Sequence, residues 1–285
     1  YRFLCRREEI QNKEDLLLAL AERVEGIYLP GFYRARYDSS GRFRKIVPTV
    51  DGLPERIEPR RTDDLDRSRI ENPLVPLTEV VHDRGVVEIM RGCPRLCRFC
   101  QASWINRPVR RKNKDEVIRQ AAAFSDRTGY GEISLLSLSS GDYPDFTGLA
   151  AELSPLLAAR QINLSLPSLN VNSLDDGIFA EIKRLKKSGI TVAPEAGTSR
   201  LRNIIGKKID IDRLEKIAGK MKELGWRLIK LYFMIGLPTE TIEDIEAIAA
   251  MINRLSGWGG KINVSISNFV PKPHTPFQWV RQAGR

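Results

Sequence analysis

Three cysteines fall within eight residues, Cys93-Pro94-Arg95-Leu96-Cys97-Arg98-Phe99-Cys100. Thiolates are the protein ligands of iron–sulfur clusters, and three on one short loop can hold such a cluster by three corners. The fourth corner then stays open, and an open iron is a place to bind and break something. Two other metal sites use the same side chains. A closed zinc site wants four ligands in tight groups, whereas no fourth cysteine lies nearby and the chain has only two histidines, His82 and His274. A plain electron-transfer cluster takes four cysteines. The fourth cysteine of the chain, Cys5, reads as a free, partly buried thiol.

The cysteine loop follows a short apolar run, Val86 to Met90, that reads as a buried strand. Further strand-like runs are Glu132–Leu138, Ile162–Leu166, Ile190–Ala193, Leu228–Met234 and Ile262–Phe269, with an amphipathic helical pattern between each pair. Asn113 with Glu116 makes a capping-box-like start to the first helix, and Gly129 stops it. The third helix carries Leu174, Ile178, Ile182 and Leu185, closed by Gly189. The fourth carries Leu214, Ile217, Met221 and Leu224, closed by Gly225. The fifth carries Ile242, Ile245, Ala249 and Ile252, closed near Gly257. Six strands alternating with five helices imply an α/β fold, a parallel sheet wrapped by helices, either doubly wound or a barrel. In both, chemistry belongs at the carboxyl ends of the strands, where the cysteine loop lies.

Residues 1–80 differ from residues 81–285 and form an expected N-terminal extension. Asn12 is positioned to cap a short helix bearing Leu16, Leu20 and Val24. Tyr28 to Tyr37 and Arg42 to Val47 alternate around Asp38-Ser39-Ser40-Gly41, the pattern of a β-hairpin. Asp51 to Pro76, rich in proline and charge, reads as an extended strap.

With 285 residues and 42% hydrophobic side chains, the chain can bury a sizeable core. It has no apolar stretch of the length, about 20 residues, that a spanning helix needs, and no signal-peptide pattern. Clustered cysteines without a disulfide framework fit a reducing, cytoplasmic setting. The net charge of +10 favours anionic partners, nucleic acid or phosphorylated metabolites. The basic residues are scattered, with modest concentrations at Arg42 to Lys45, Arg56 to Arg61 and Arg107 to Lys114, and no aromatic-interleaved basic stretch stands out.

Cys93, Cys97, Phe99 and Cys100 match the motif C-x3-C-x-[aromatic]-C, in which the chain resembles the radical SAM superfamily. The resemblance implies a partial (β/α)6 TIM-like barrel. It also implies a [4Fe-4S] cluster on Cys93, Cys97 and Cys100, whose open iron is chelated by S-adenosylmethionine (SAM), with Phe99 near the adenine. Such enzymes take an electron from a flavodoxin- or ferredoxin-like donor. Ser140, Gly141 and Asp142, after the second strand, stand where the superfamily usually holds the methionine amino group with a Gly-Gly-Glu-like segment; an ordinary turn is the other reading. Glu195, at a strand end before a helix, suits ribose hydroxyls or the substrate ammonium, or alternatively the helix dipole. Gly236 permits a close backbone approach beside the adenine. His274 lies in a proline-rich rim segment, where a structural turn is the simpler role. No catalytic residue beyond these is assigned.

Four separated segments carry a closer resemblance: Glu88-Ile89-Met90-Arg91-Gly92-Cys93, Ser165-Leu166-Pro167-Ser168-Leu169, Ala193-Pro194-Glu195-Ala196-Gly197-Thr198, and Pro271 through Trp279. They are similar to an uncharacterised B12-binding branch of the superfamily, YgiQ-like and MiaB-like. In that branch a cobalamin-binding domain precedes the hairpin. No Asp-x-His-x-x-Gly cobalamin motif occurs here, so cobalamin is expected only with a domain missing from the N-terminal side of this chain. Asn170 stands where a basic residue was expected, which leaves the SAM carboxylate without an assigned partner. The expected activity is reductive SAM cleavage to a 5′-deoxyadenosyl radical, with cobalamin-dependent methyl transfer one outcome. Modification of tRNA or a ribosomal component is an alternative, although no cysteines for a second cluster and no RNA-binding tail occur in the sequence. A structural metal-binding module is the non-enzymatic alternative.

Overall fold

The computed structural model describes residues 12–70, 72–78, 80–167, 169, 171–173, 177–179 and 189–283. Contacts divide the chain into two units, residues 1–63 and 64–285. In the smaller, Asn12 caps helix α1 (Lys13–Arg23), its side chain accepting from Asp15 N–H. Leu16, Leu20 and Val24 are only half-buried. Strands β1 (Tyr33–Tyr37) and β2 (Phe43–Pro48) pair antiparallel. Asp38 closes their turn by accepting from Ser40 N–H, the Ser40 hydroxyl and Arg42 N–H through one oxygen. An aspartate that bonds its own backbone two residues on favours a turn over continued strand.

The larger unit holds two parallel three-stranded sheets. One has the order β3-β6-β7, from β3 (Gly85–Glu88), β6 (Glu132–Leu136) and β7 (Asn163–Ser165). The other has the order β10-β9-β8, from β8 (Ile190–Glu195), β9 (Leu228–Ile235) and β10 (Lys261–Asn268). Strands therefore follow one another in chain order with helical crossovers, the arrangement of a β/α half-barrel. Among the described residues the ladder is not continuous between β7 and β8, and no closed barrel forms. Two short strands, β4 (Met90–Arg91) and β5 (Arg110–Arg111), form a separate antiparallel pair flanking the cysteine loop.

The helices bury one face each against these sheets. Helix α3 (Lys114–Arg127) is capped by Asn113, as its sequence suggested. Glu116 does not complete a capping box. It turns instead to Arg119, in a bidentate pair at 2.9 and 2.6 Å, and to Arg69. The helix ends at Thr128 rather than at Gly129. Helix α4 (Phe146–Ala158) follows β6, and helix α6 (Ile211–Glu223) buries Leu214, Ile217 and Met221 as its spacing predicts. Of the third helical pattern, Ile178 is buried; Leu174, Ile182 and Leu185 lie outside the described residues. Helix α7 (Ile242–Ser256) departs from expectation: it buries Asp244, Ile248, Met251 and Leu255, leaving Ile242 and Ile245 at the surface. The second half of the strap packs with this unit. Leu65 is buried, Asp66 accepts from Asn113 N–H, and Ser68 O accepts from Lys112 Nζ.

Candidate functional site: a three-cysteine loop bound to the strand ends

Local conformation shapes the cysteine loop before any partner does. Gly92 takes φ +91°, and a Cβ there would lie 2.7 Å from Asn106 O, so only glycine fits the turn into Cys93. Leu96 is also left-handed, at φ 55°. Cys100 N–H donates to Cys97 O at 3.1 Å. The indole of Trp104, on helix α2 (Gln101–Ile105), donates to the same carbonyl at 3.0 Å. Cys93 and Cys97 are buried and Cys100 is half-buried; all three are free thiols.

Four other strand ends hold this loop. After β6, Asp142 accepts a bidentate pair from Arg95 at 2.7 and 2.6 Å and a hydrogen bond from the Ser139 hydroxyl. After β8, the carbonyls of Ile205 and Ile204 accept from Arg98 N–H and its guanidinium. Helix α5 (Ser199–Ile204) provides the latter. After β10, Pro273 O accepts from Gln101 Nε2 at 3.1 Å. Phe99 packs against an apolar cluster of Ala196, Leu201, Ile205, Leu237, Phe269 and Phe277, which gathers the ends of β8, β9 and β10.

The segment Pro194-Glu195-Ala196-Gly197-Thr198 divides its work. A Cβ on Gly197 would strike Asp244 O and Ile248 N of α7, so glycine lets that helix close on β8. Thr198 caps α5 and its hydroxyl also bonds Asp244. Glu195 sits at a register break in β8 with φ +70°, a conformation that non-glycine residues adopt rarely and at a cost. Its carboxylate lies 3.5 Å from Lys207 Nζ. Burial pushes the Glu195 carboxyl above the usual carboxylate value, and Lys207 opposes the shift. Burial likewise pushes the Cys97 thiol up to about 11, again opposed by Lys207. One ammonium thus acts on both the loop's central thiol and the strand-end carboxylate.

The remaining candidates fall as follows. Ser140 is fully buried and shares a hydrogen bond with Ser137, at 3.0 Å between hydroxyl oxygens. Gly141 is half-buried in the same short 3-10 turn. Asp142 is committed to Arg95 and Ser139, so its carboxylate fixes the loop. Gly236 is left-handed at φ +77°, and its N–H donates to Glu240 Oε2 at 2.6 Å. His274 is exposed, and its N–H donates to Gln278. Lys207, Arg95 and Glu240 were not anticipated. Arg95 lay in plain view between two cysteines, but nothing local announces a partner beyond the next helix.

The donor set is three free thiols on one loop, the ligand chemistry of an iron–sulfur cluster. Zinc needs its sulfurs about 2.3 Å from one metal, whereas a cubane takes them at separate corners. Cys93 and Cys100 are still near enough to Cys97 to raise its pKa electrostatically. Cys93, Cys97 and Cys100 would hold three irons.

Comparison with known proteins agrees with this geometry. The pattern of the radical SAM superfamily matches residues 87–252. A protein of Methanocaldococcus jannaschii, uncharacterised protein MJ0966, is 35% identical over 193 residues, covering 68% of this chain and 42% of the relative. The threonylcarbamoyladenosine tRNA methylthiotransferase MtaB of Bacillus subtilis is 24% identical, covering 70% of this chain and 46% of the relative. The chain thus spans under half the length of these relatives. In fold it is similar to the radical S-adenosylmethionine methyltransferase TsrM of Kitasatospora setae, with a TM-score of 0.57 at 14% identity, covering 87% of this chain and 51% of that one. With the match spanning more than half of its residues and all three loop cysteines, the chain belongs to the radical SAM superfamily, whose enzymes bind a [4Fe-4S] cluster and S-adenosylmethionine.

Proposed function

We propose that this protein cleaves SAM reductively and uses the product radical to abstract hydrogen from a substrate. When bound, the cluster supplies one electron to the sulfonium, breaking a carbon–sulfur bond to give methionine and a 5′-deoxyadenosyl radical. The chain's own residues do the positioning. Cys93, Cys97 and Cys100 hold the irons, and Arg95–Asp142 fixes the loop against β6. Phe99 and its apolar neighbours offer a dry surface beside the thiols. The half-buried pair Glu195–Lys207 offers an acceptor for hydroxyl or ammonium donors and a cation for a carboxylate. The observation that carries the reading is the open three-cysteine loop bonded to other strand ends.

Together with a cobalamin-binding domain, cobalamin-dependent methyl transfer is one use of this centre. The fold similarity to TsrM, solved with cobalamin and a [4Fe-4S] cluster, supports it. The tRNA methylthiotransferases among the relatives support a second use, RNA modification, and the net charge of +10 is compatible with it. A flavodoxin- or ferredoxin-like donor would deliver the electron. A reducing cytoplasm, which keeps clustered thiols free, is the expected location. Among the described residues no helix is long and apolar enough to cross a membrane.

The test is anaerobic reconstitution of the full-length protein, reduction, and incubation with labelled SAM. Accumulation of 5′-deoxyadenosine supports hydrogen abstraction. Accumulation of S-adenosylhomocysteine alone assigns a methyl transfer without it, and a colourless zinc protein that leaves SAM intact overturns the enzyme.

A further inference from the structure

We propose that Arg202 is the positioning residue of the Glu195–Lys207 pair: its guanidinium holds the turn that presents the Glu195 carboxylate, and so sets SAM affinity through Glu195. The inference rests on that pair binding SAM, as proposed for this centre. In sequence Arg202 is one of two arginines in Ser199-Arg200-Leu201-Arg202-Asn203, on the short helix α5. The structure separates them. Arg200 is exposed and pairs with Asp244. Arg202 is only 8% exposed and turns back on the end of β8. Its Nη1 donates to Ala196 O at 3.0 Å and to Gly197 O at 2.9 Å, the carbonyls of the two residues that follow Glu195. Its backbone reaches both flanks of the same region. Arg202 N–H donates to Thr198 O at 3.1 Å, and Arg202 O accepts from Lys207 N–H at 2.8 Å. Glu195 is thus held through the Arg202 side chain, and Lys207 through its main chain.

Glu195 requires such a support. It breaks the register of β8 at φ +70°, and a non-glycine residue keeps that conformation only where its surroundings over-determine it. Among the described residues no other donor reaches Ala196 O or Gly197 O. Without the guanidinium both carbonyls would be left unbonded, and the turn would be free to relax.

The charge of Arg202 serves no ion pair. Among the described residues no carboxylate pairs with it. Burial lowers its pKa, and Arg254 acts in the same direction. A buried cation without a counter-ion is costly, and an apolar side chain would avoid that cost. What an apolar side chain lacks is the rigid fork of N–H donors that a guanidinium offers to neighbouring acceptors. Nor does Arg202 act on Glu195 by charge, since burial and Lys207 set the carboxyl's pKa. Its effect is on geometry.

The test is SAM affinity of the full-length, cluster-loaded protein, measured without reductant by equilibrium dialysis of labelled SAM. R202M and E195A form a double-mutant cycle. R202M is expected to weaken SAM binding about tenfold, within the range for a lost hydrogen bond from a charged group, with iron content at the wild-type level. In the E195A background R202M is expected to change SAM affinity by less than about twofold, because residues that act through one another are not additive. A general loosening of the fold would weaken binding by the same factor in both backgrounds. If R202M does not fold, judged by circular dichroism, R202K is read in its place; it keeps a donor, loses the fork, and is expected to lie between wild type and E195A. Wild-type SAM affinity in the variant read overturns the proposal, and so does an equal loss in both backgrounds. E195A that binds SAM as wild type does also overturns it, since Arg202 would then have no group to act through. Wild-type protein that does not bind SAM sinks this inference together with the pair's role. SAM that is bound but left intact under reductant sinks the cleavage reading and leaves the role of Arg202 standing.

Discussion

Glu195 combines three uncommon features: a left-handed backbone, a half-buried carboxylate and a lysine 3.5 Å away. Strain of this kind persists only where surrounding structure over-determines it, and it concentrates at binding sites. Glu195→Ala is therefore expected to weaken SAM binding about tenfold or more, the range for a lost hydrogen bond to a charged group, while iron content and visible absorbance stay at wild-type levels. Unchanged SAM affinity would leave Glu195 as a support for Lys207 only. Lys112 offers a test away from the site. It is 3% exposed, donates to Ser68 O and Gln120 Oε1, and burial holds its pKa below the ordinary 10.5. Below both values the ammonium is charged in folded and unfolded chains, and the burial penalty is full. Between them the unfolded chain binds more protons, so folding stability rises as pH climbs toward 10.5. Lys112→Met should lose about 1–3 kcal/mol by leaving Gln120 Oε1 unpaired, while Ser68 O keeps its bond from Gln120 Nε2. In urea titrations it should also lack that rise.

At the level of elements, α7 shows how a polar side chain can override apolar periodicity. Ile242, Ile245, Ala249 and Ile252 form a regular stripe, yet Ile242 remains 61% and Ile245 40% exposed. Asp244 decides the rotation. It completes the capping box with Thr241 and bonds Thr198 and Arg200, so the face bearing it turns inward. Two predictions separate these faces. Asp244→Ala should cost about 1–3 kcal/mol by removing the one acceptor shared by Thr241 N–H, the Thr198 hydroxyl and Arg200. Ile242→Lys should change stability by no more than about 0.5 kcal/mol, as for ordinary surface positions. A large loss in the lysine variant, measured by thermal or urea unfolding, would restore the simple stripe. In α6, by contrast, no buried acid competes, and Leu214, Ile217 and Met221 are buried as their spacing requires.

For the molecule as a whole, cluster and cofactor are expected to feed back on stability, because a ligand that binds only the folded chain raises its unfolding free energy. SAM at a hundred times its dissociation constant should add about 2.7 kcal/mol. Calorimetry of the reconstituted protein should show that gain. Cys97→Ala should remain folded but lose the cluster and with it the SAM-dependent shift. Unfolding of that variant would make the cysteine loop a structural staple. Much of this organisation was legible in the linear chain. Cysteine spacing, the alternation of strand and helix patterns, Asn12 and Asn113 as caps, and the Asp38 turn all depend on residues a few positions apart, whose geometry the covalent chain nearly fixes. What only the tertiary structure decided lies between distant segments. Arg95 meets Asp142, Lys207 reaches Glu195, and Phe99 joins the ends of three strands. Such partners are chosen by strand order and helix rotation, which depend on how the whole core packs, and no local spacing carries that information.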